Sequence, residues 1–170
     1  MAGQATPAIT LLTRERVAHS THSYSVDADT PNYGAAVADA LGVDQARVFK
    51  TLVTTVFYAA APQASLAGDG ALIVAVVPVT GDVDLKALAT AAGGKRATMA
   101  DRALAERTTG YVRGGISPLG QRKRLMTVID DSATEHESVY VSAGRRGLQV
   151  QLSPAELIRL TGAVTARISA

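Results

Sequence analysis

A single lysine, Lys50, interrupts an apolar run of the sequence and is the residue most in need of a chemical explanation. The run from Val48 to Val56 (VFKTLVTTV) is rich in β-branched and aromatic residues and predicts a strand. Strand alternation places Lys50 on the same face as Val48 and Leu52. Its ammonium group either projects into a cleft, where it can bind a carbonyl, carboxylate or phosphate oxygen, or reaches water from a strand edge.

Basic residues concentrate in one part of the chain. The segment from Lys95 to Arg124 holds eight basic and two acidic residues, a net charge of +6. The rest of the chain holds nine basic and thirteen acidic residues, a net charge of −4. The basic segment closes with Gln121-Arg122-Lys123-Arg124, a pattern that fits a phosphate-contacting rim. The alternative is a solvated basic surface that has no partner.

A glycine-rich loop at 110–120 (GYVRGGISPLG) lies directly before that basic cluster. It has four glycines and one proline in eleven positions, too many for a regular element. Gly114 and Gly115 can bring backbone N–H groups close to an anion or a developing oxyanion. The loop matches neither G-x-x-x-x-G-K-[ST] nor G-x-G-x-x-G, so a connection without any ligand is the alternative.

Several other chemistries are excluded or disfavoured. The chain has no cysteine, which excludes a disulfide framework, a thiolate metal site, an iron–sulfur cluster and a catalytic thiol. His19 and His22 face opposite sides of a strand, so we expect no metal site and no cofactor. Ser117 lies in G-I-S-P-L-G rather than G-x-S-x-G, so no nucleophile elbow is predicted. Adjacent acids such as Asp130-Asp131 usually point apart or cap a turn.

The order of the predicted elements indicates a mixed α/β or α+β fold, in one domain spanning residues 1–170. Strands outnumber helices and do not alternate strictly with them, which favours a substantially antiparallel sheet over a doubly wound one. Thr6-Pro7, Asp82 or Asp84, and Ser153 are predicted to open helices. The other predicted helices cover 35–42 and 100–110, a hairpin loop covers 59–70, and the strands are 20–26, 48–56, 71–79, 96–99, 125–130, 138–143, 148–152 and 163–169.

Nothing in the sequence suggests a membrane. The longest apolar run, 71–79, is broken by Pro78 and has about half of the residues that a bilayer requires. The first ten residues, MAGQATPAIT, lack a basic region followed by an apolar segment, so no secretory signal is predicted. We therefore expect a cytoplasmic protein without a membrane partner.

Long stretches of the sequence resemble the YbaK/EbsC family of aminoacyl-tRNA deacylases, and specifically its Cys-tRNA(Pro) deacylase branch. The resemblance runs in unbroken order from about residue 6 to residue 168. The block TGY–GGISPLGQ–KR carries it most specifically, because a match of that length does not arise from a short motif. The other matching stretches are Thr6-Pro7-Ala8, the pair His22–Tyr24, VFKTLV, VAVVPVTGDVDLKALA, MADRALAERTTG, RLMTVID and YVSAGRRGLQVQL.

The resemblance implies a fold and a set of site residues. It implies a mixed, barrel-like β-sheet flanked by helices, with Lys50 as the essential basic residue. By the same correspondence, eight positions line a pocket for the acceptor end of tRNA: Tyr24, Tyr33, Thr51, Gly114, Gly115, Ile116, Ser117 and Ser142. A basic rim would accept acceptor-stem phosphates through Arg113, Arg122, Lys123, Arg124 and Arg146. Relatives often carry an acid where this chain has Gln149, which departs from the family pattern.

The resemblance also implies an activity, the removal of cysteine from mischarged Cys-tRNA(Pro), and prolyl-tRNA synthetase as a partner. An aminoacyl ester is already activated, so its cleavage needs orientation and stabilisation of the carbonyl oxygen more than a strong nucleophile. With no cysteine in the protein, the thiol of the substrate can attack its own carbonyl and close a thiolactone, as proposed for the family. Lys50 would then hold the ribose or phosphate and the carbonyl, with the N–H groups of Gly114 and Gly115 facing the oxyanion. Two alternatives remain open: Ala-tRNA(Pro) or another mischarged tRNA as substrate, and a non-catalytic module that binds tRNA or the synthetase.

Overall fold

A computed structural model of the protein describes residues 5–58 and 70–170. The helices are α1 (Pro7–Arg14), α2 (Tyr33–Leu41), α3 (Leu85–Ala91), α4 (Arg102–Thr109) and α5 (Pro154–Thr161). The strands are β1 (His19–Ser23), β2 (Phe49–Phe57), β3 (Gly70–Pro78), β4 (Arg96–Met99), β5 (Met126–Asp130), β6 (Val139–Arg145), β7 (Leu148–Leu152) and β8 (Val164–Ala166). No helix in the described ranges is both long and apolar enough to cross a membrane.

The strands form two sheets, which confirms a mixed and largely antiparallel α/β fold. One sheet has the order β1-β7-β6 and the other β4-β2-β3-β5-β8. Only the β3–β5 and β5–β8 pairings are parallel in these sheets. The expected barrel is wrong, because the sheets do not close. They meet through an isolated bridge between Val48 and Tyr140, directly after the 3-10 turn Gln45–Arg47.

Local sequence signals placed most helix starts correctly. Thr6, Asp84, Asp101 and Ser153 each accept a backbone N–H of their own helix through the side chain. Of the two predicted caps for α3, Asp84 is the one used. Several element ends differ from the prediction: α1 stops at Arg14 rather than at residue 17, and β1 covers His19–Ser23 rather than 20–26. The predicted hairpin loop lies outside the described residues except for Gly70, which begins β3.

The core lies on both faces of the five-stranded sheet. Alternation along β3 turns Val74 and Val76 toward the three-stranded sheet, and turns Ile73, Ala75 and Val77 toward α3. All five side chains are buried, and each of the valines and the isoleucine contributes roughly 1.5–3 kcal/mol to stability by leaving water. The outward face of the three-stranded sheet is more polar, and there Ser142 and Gln149 stand opposite each other in register.

A buried carboxylate, Asp130, fastens the end of the chain to this core. It follows β5 with 1% of its surface exposed, and it accepts hydrogen bonds from Ser132, Ile168 and Ser169. Burial alone would raise the pKa of Asp130, but the hydrogen bonds from Ser132 and Ile168 hold it below its usual value. Asp130 thereby caps the 3-10 turn Asp131–Glu135, which is one of the two usual arrangements of adjacent acids named above.

The fastened segment in turn fixes the loop before α3. The Ile168 carbonyl accepts from the N–H of Asp84 at 2.6 Å, and the N–H of Ala170 donates to the carbonyl of Asp82 at 2.9 Å. Val83 forms a bridge with Ser169. The backbone of Asp82 is therefore held at a defined place beside β2, which matters for the site described below.

Replacing Asp130 with alanine should lower the free energy of unfolding by about 3 kcal/mol at pH 7, because buried N–H groups lose a charged acceptor. Urea denaturation measures this, with Asp131→Ala at an exposed neighbouring position as the control. Since the pKa of Asp130 is lowered in the folded state, its contribution is complete above the unfolded pKa and is lost as the pH falls through the folded pKa. The difference in unfolding free energy between wild type and Asp130→Ala should thus shrink below about pH 4. Equal stability of the two proteins at pH 7 would contradict the role of Asp130 in fastening the chain end.

Candidate functional site

A cavity of about 790 Å³ opens along one edge of β2. Strand β4 pairs with β2 only from Thr54 onward, so the preceding residues of β2 have a neighbouring strand, β3, on one side only. Six consecutive residues, 48–53, line the cavity along that free edge. The carbonyl of Val53 faces this side and accepts from Ala100, and strand alternation turns the N–H and C=O of Thr51 the same way.

The other walls come from distant parts of the chain. The start of α2 contributes Tyr33, the start of α4 contributes Arg102 and Glu106, and the outward face of the three-stranded sheet contributes Ser142 and Gln149. The glycine-rich loop closes the ring through Arg113, Gly114 and Ile116, together with Arg146 from the turn between β6 and β7. Two helices, the three-stranded sheet, the glycine-rich loop and the β6–β7 turn therefore meet beside the first half of β2.

Lys50 both lines a cleft and reaches water, the two placements that its sequence context allows. Its side chain is one-third exposed (33%), lines the cavity, and places Nζ 3.2 Å from Oδ1 of Asp82. The side chain of Asp82 is 94% exposed, and such a surface ion pair is worth about 0–1 kcal/mol. The ammonium group thus stands at the cavity mouth with a weak partner, and a ligand oxygen can engage it at low cost.

Two oxygens inside the cavity wall are conspicuous because they are buried without a partner. Among the described residues, Thr51 Oγ1 and Gln149 Oε1 have no hydrogen bond. Both residues line the cavity. A buried polar atom without a partner costs about 1–3 kcal/mol, so a wall that keeps two of them is suited to a ligand that supplies donors.

Tyr33 presents a neutral hydroxyl to the cavity. Its oxygen lies 3.2 Å from the hydroxyl of Tyr24, which stands behind it and does not itself line the cavity. Burial, and then the hydrogen bond with Tyr24, raise the pKa of Tyr33 well above its usual value. Tyr33 therefore stays protonated at physiological pH and acts as a hydrogen-bonding group rather than a base.

The glycine-rich loop is divided between cavity wall and internal support. Gly114 and Ile116 line the cavity, whereas the N–H of Gly115 donates to the carbonyl of Val112 at 2.8 Å. That bond contradicts the expectation that the Gly115 N–H faces a substrate. A Cβ on Gly115 would lie 2.6 Å from Arg145 Cα, so glycine is required for the close contact. Ser117 is fully buried and accepts the N–H of Leu119, which leaves it out of the wall.

The predicted basic rim falls into two groups. Arg113 and Arg146 line the cavity, as does Arg102, which sequence reasoning placed in the basic segment without assigning it to the site. Arg122, Lys123 and Arg124 are exposed but do not line it. The backbone N–H groups of the first two donate to carbonyls at the end of α4, which puts this group beyond the far end of that helix.

Sequence reasoning missed the acids of the site. Asp82 pairs with Lys50 across 32 positions of the chain, a contact without a local sequence signal. Glu106 and Asp29 line the cavity. The i,i+4 spacing of Arg102 and Glu106 on one helix is the signal that could have identified Glu106. Gln149 was noted only as a departure from the family pattern; its register opposite Ser142, another predicted pocket residue, could have identified it. No group of histidine and acidic residues in the described ranges is arranged to hold a metal ion.

Comparison with known proteins places this chain in a family. The family described as "Aminoacyl-tRNA editing domain" matches residues 28–160. An Enterococcus faecalis protein named "Putative Cys-tRNA(Pro)/Cys-tRNA(Cys) deacylase EbsC" is 34% identical over 166 residues, 98% of this chain and 94% of that protein.

Solved structures agree on the fold. The structure of a protein described as a "putative trans-editing enzyme for prolyl tRNA synthetase" aligns with a TM-score of 0.76 over 98% of both chains, at 20% identity. A hypothetical protein of known structure aligns with a TM-score of 0.79 over 97% of this chain and 100% of its own, at 22% identity. The resemblance drawn from the sequence is confirmed, and the chain belongs to the aminoacyl-tRNA editing domain family.

Proposed function

We propose that the protein is a trans-editing deacylase that releases cysteine from mischarged Cys-tRNA(Pro). The observation that carries the proposal is the meeting, in one cavity, of the Lys50 ammonium group, two unpartnered buried oxygens and a basic mouth. The name of the Enterococcus faecalis relative supports the choice of substrate. A cavity of about 790 Å³ lies in the range of about 300–1,000 Å³ that encloses a small ligand, such as a terminal aminoacyl-adenosine.

The charges of the cavity suit the two ends of such a ligand. The amino group of the attached amino acid supplies donors, which the oxygens of Thr51 and Gln149 can accept. The phosphates near the 3′ end carry negative charge, which Arg113 and Arg146 can bind at the mouth. Lys50 lines the same cavity, and its ammonium group can bind the ester carbonyl or the ribose.

The chemical step requires little from the protein beyond placement. In the proposed route, the substrate sulfur attacks its own carbonyl carbon and forms a C–S bond, while the ester C–O bond breaks. The thiol proton ends on the departing ribose oxygen, and the thiolactone is then hydrolysed to cysteine. The Lys50 ammonium group stabilises the negative charge that develops on the carbonyl oxygen. The protein itself has no cysteine, so the sulfur in this route belongs to the substrate.

Two macromolecules are the proposed partners. The first is tRNA, whose acceptor-stem phosphates would lie across Arg122, Lys123 and Arg124. The second is prolyl-tRNA synthetase, which would bring the mischarged tRNA to a protein whose net charge of +2 gives only weak general attraction to RNA. The structural relative described as a trans-editing enzyme for that synthetase supports the second partner.

Replacing Lys50 with methionine, which keeps the aliphatic stem, should lower kcat/KM for Cys-tRNA(Pro) by about 100-fold or more. The loss reflects missing stabilisation of the carbonyl oxygen, and it is measured by release of labelled cysteine. Lys86→Met, at an exposed position on α3, is the matched control and should be neutral. Activity within about threefold of wild type in a folded Lys50→Met protein would remove Lys50 from the mechanism.

A panel of proline tRNAs charged with cysteine, serine or alanine tests the route. Cysteine should be released at least about 100-fold faster than serine, since an internal thiol profits from proximity that water lacks. Equal rates for cysteine and serine argue for attack by water, and faster release of alanine reassigns the substrate. Binding of charged tRNA without release of any amino acid supports a non-catalytic module. The panel is repeated with prolyl-tRNA synthetase, and unchanged rates and selectivity count against recruitment.

The two groups of basic residues, one lining the cavity and one beyond α4, should contribute differently to the salt dependence of tRNA binding. Replacing Arg122, Lys123 and Arg124 together with glutamine should raise KM for full-length tRNA and lower its salt dependence, by about 0.7–0.9 in the log–log slope per lost phosphate contact. The same change should leave KM for an aminoacylated trinucleotide unaffected. Replacing Arg113 and Arg146 with glutamine should weaken the binding of both full-length tRNA and the trinucleotide. Arg14→Gln serves as the control. Unchanged KM and slope in the triple variant would exclude that cluster from the tRNA interface.

A further inference from the structure

Glu106 is an acid placed where the proposed substrate is a polyanion. It lines the cavity on α4, and its side chain is 28% exposed. Arg102, Arg113 and Arg146 line the same cavity. A negative charge among them opposes the binding of phosphates, so its presence calls for another benefit.

The contacts of Glu106 identify that benefit. Its Oε2 accepts the backbone N–H of Arg113 at 2.8 Å and the Nε of Arg102 at 3.4 Å. The first bond crosses seven residues and joins helix α4 to the glycine-rich loop. The backbone N–H of Arg113 is also the main cause of a lowered pKa for Glu106, so the carboxylate is charged at neutral pH.

The opposite side of the same loop rests on the turn between β6 and β7. A Cβ on Gly114 would lie 2.7 Å from Arg146 Nε, and a Cβ on Gly115 would lie 2.6 Å from Arg145 Cα. At Gly115 this contact is with backbone, and at Gly114 it is with the Arg146 side chain. On the α4 side, the Glu106 side chain accepts the backbone N–H of Arg113. Two consecutive glycines have large conformational freedom when nothing holds them. The hydrogen bond from the Arg113 N–H to Glu106 therefore reduces the number of conformations open to the loop.

We propose that Glu106 is a positioning residue that holds loop residues 112–116 as a fixed wall of the cavity, with Arg113 at its mouth. This inference rests on the proposed function, because the wall matters only if the cavity binds the 3′ end of a charged tRNA. Glu106 acts through Arg113, Gly114 and Ile116 and does not touch the reacting atoms. Its charge is secondary to its geometry, since the essential contact is an oxygen that accepts one backbone N–H.

Two variants separate the bond from the charge. Glu106→Gln keeps an acceptor oxygen at nearly the same place and should retain kcat within about threefold. Glu106→Ala removes the acceptor and should lower kcat by about ten- to a hundredfold, the range expected when a binding wall moves by up to an ångström. Glu156 is the matched control, because it also accepts from an arginine of its own helix, Arg159, and has no bond to a loop backbone in the part of the chain that the structure describes.

Hydrogen exchange provides a readout that does not depend on activity. The Arg113 amide should exchange at least about tenfold faster in Glu106→Ala than in wild type, with Glu106→Gln and Glu156→Ala unchanged. Unchanged exchange and activity in Glu106→Ala overturn the proposal, and so does a Glu106→Gln protein as impaired as Glu106→Ala. If the wild type releases no amino acid from any charged tRNA, the proposed function fails, and exchange alone still decides whether the hydrogen bond from Arg113 to Glu106 exists.

Discussion

Strand β2 has two neighbouring strands over only the second half of its length, and the site depends on that difference. From Thr54 onward it lies between β3 and β4, but before that point it pairs with β3 alone and has a free edge around Thr51, between the Val48–Tyr140 bridge and the Val53 carbonyl that accepts from Ala100. A free edge exposes backbone donors and acceptors, and in most proteins such an edge is covered or paired. Here it is lined by α2, α4 and the glycine-rich loop, which turns the edge into a cavity wall. The cavity lies beside the edge of β2 rather than on one face of the sheet. Residues of both faces of β2, including Lys50 and Thr51, therefore line the same cavity.

The electrostatics of the cavity follow from where each charge is anchored. Asp82 meets Lys50 because the chain end, fastened by buried Asp130, holds the backbone of Asp82 beside β2. Glu106 sits among the arginines and binds the backbone of Arg113. Asp82 and Glu106 thus each contact a basic residue of the cavity, while Thr51 and Gln149 offer buried neutral oxygens. This separation of basic mouth and neutral interior is what the proposed substrate, a phosphate chain ending in an amino acid, requires.

The sequence predicted features that depend on neighbours along the chain. Helix caps such as Ser153 and the strand around Lys50 rest on local bonding and alternation, and the structure has them. Features that depend on tertiary contact were missed or misjudged. The family motif grouped Gly114 to Ser117 as one pocket segment, but the turn directs Gly115 and Ser117 inward. The free edge of β2 arises because β4 is short, and no residue pattern in β2 itself reports that.

The central claim is that the neutral interior of the cavity receives the amino group of the amino acid. The direct measurement is calorimetric affinity for a hydrolysis-resistant amide analogue of cysteinyl-adenosine, compared with the same compound carrying 3-mercaptopropionyl in place of cysteinyl. The account predicts that loss of the amino group weakens binding to wild type by about tenfold or more, as expected for charged hydrogen bonds. It also predicts that loss of the amino group weakens binding much less in a protein that carries both Thr51→Val and Gln149→Leu. Equal affinities for the two compounds, or a penalty that the double variant leaves unchanged, would contradict the claim.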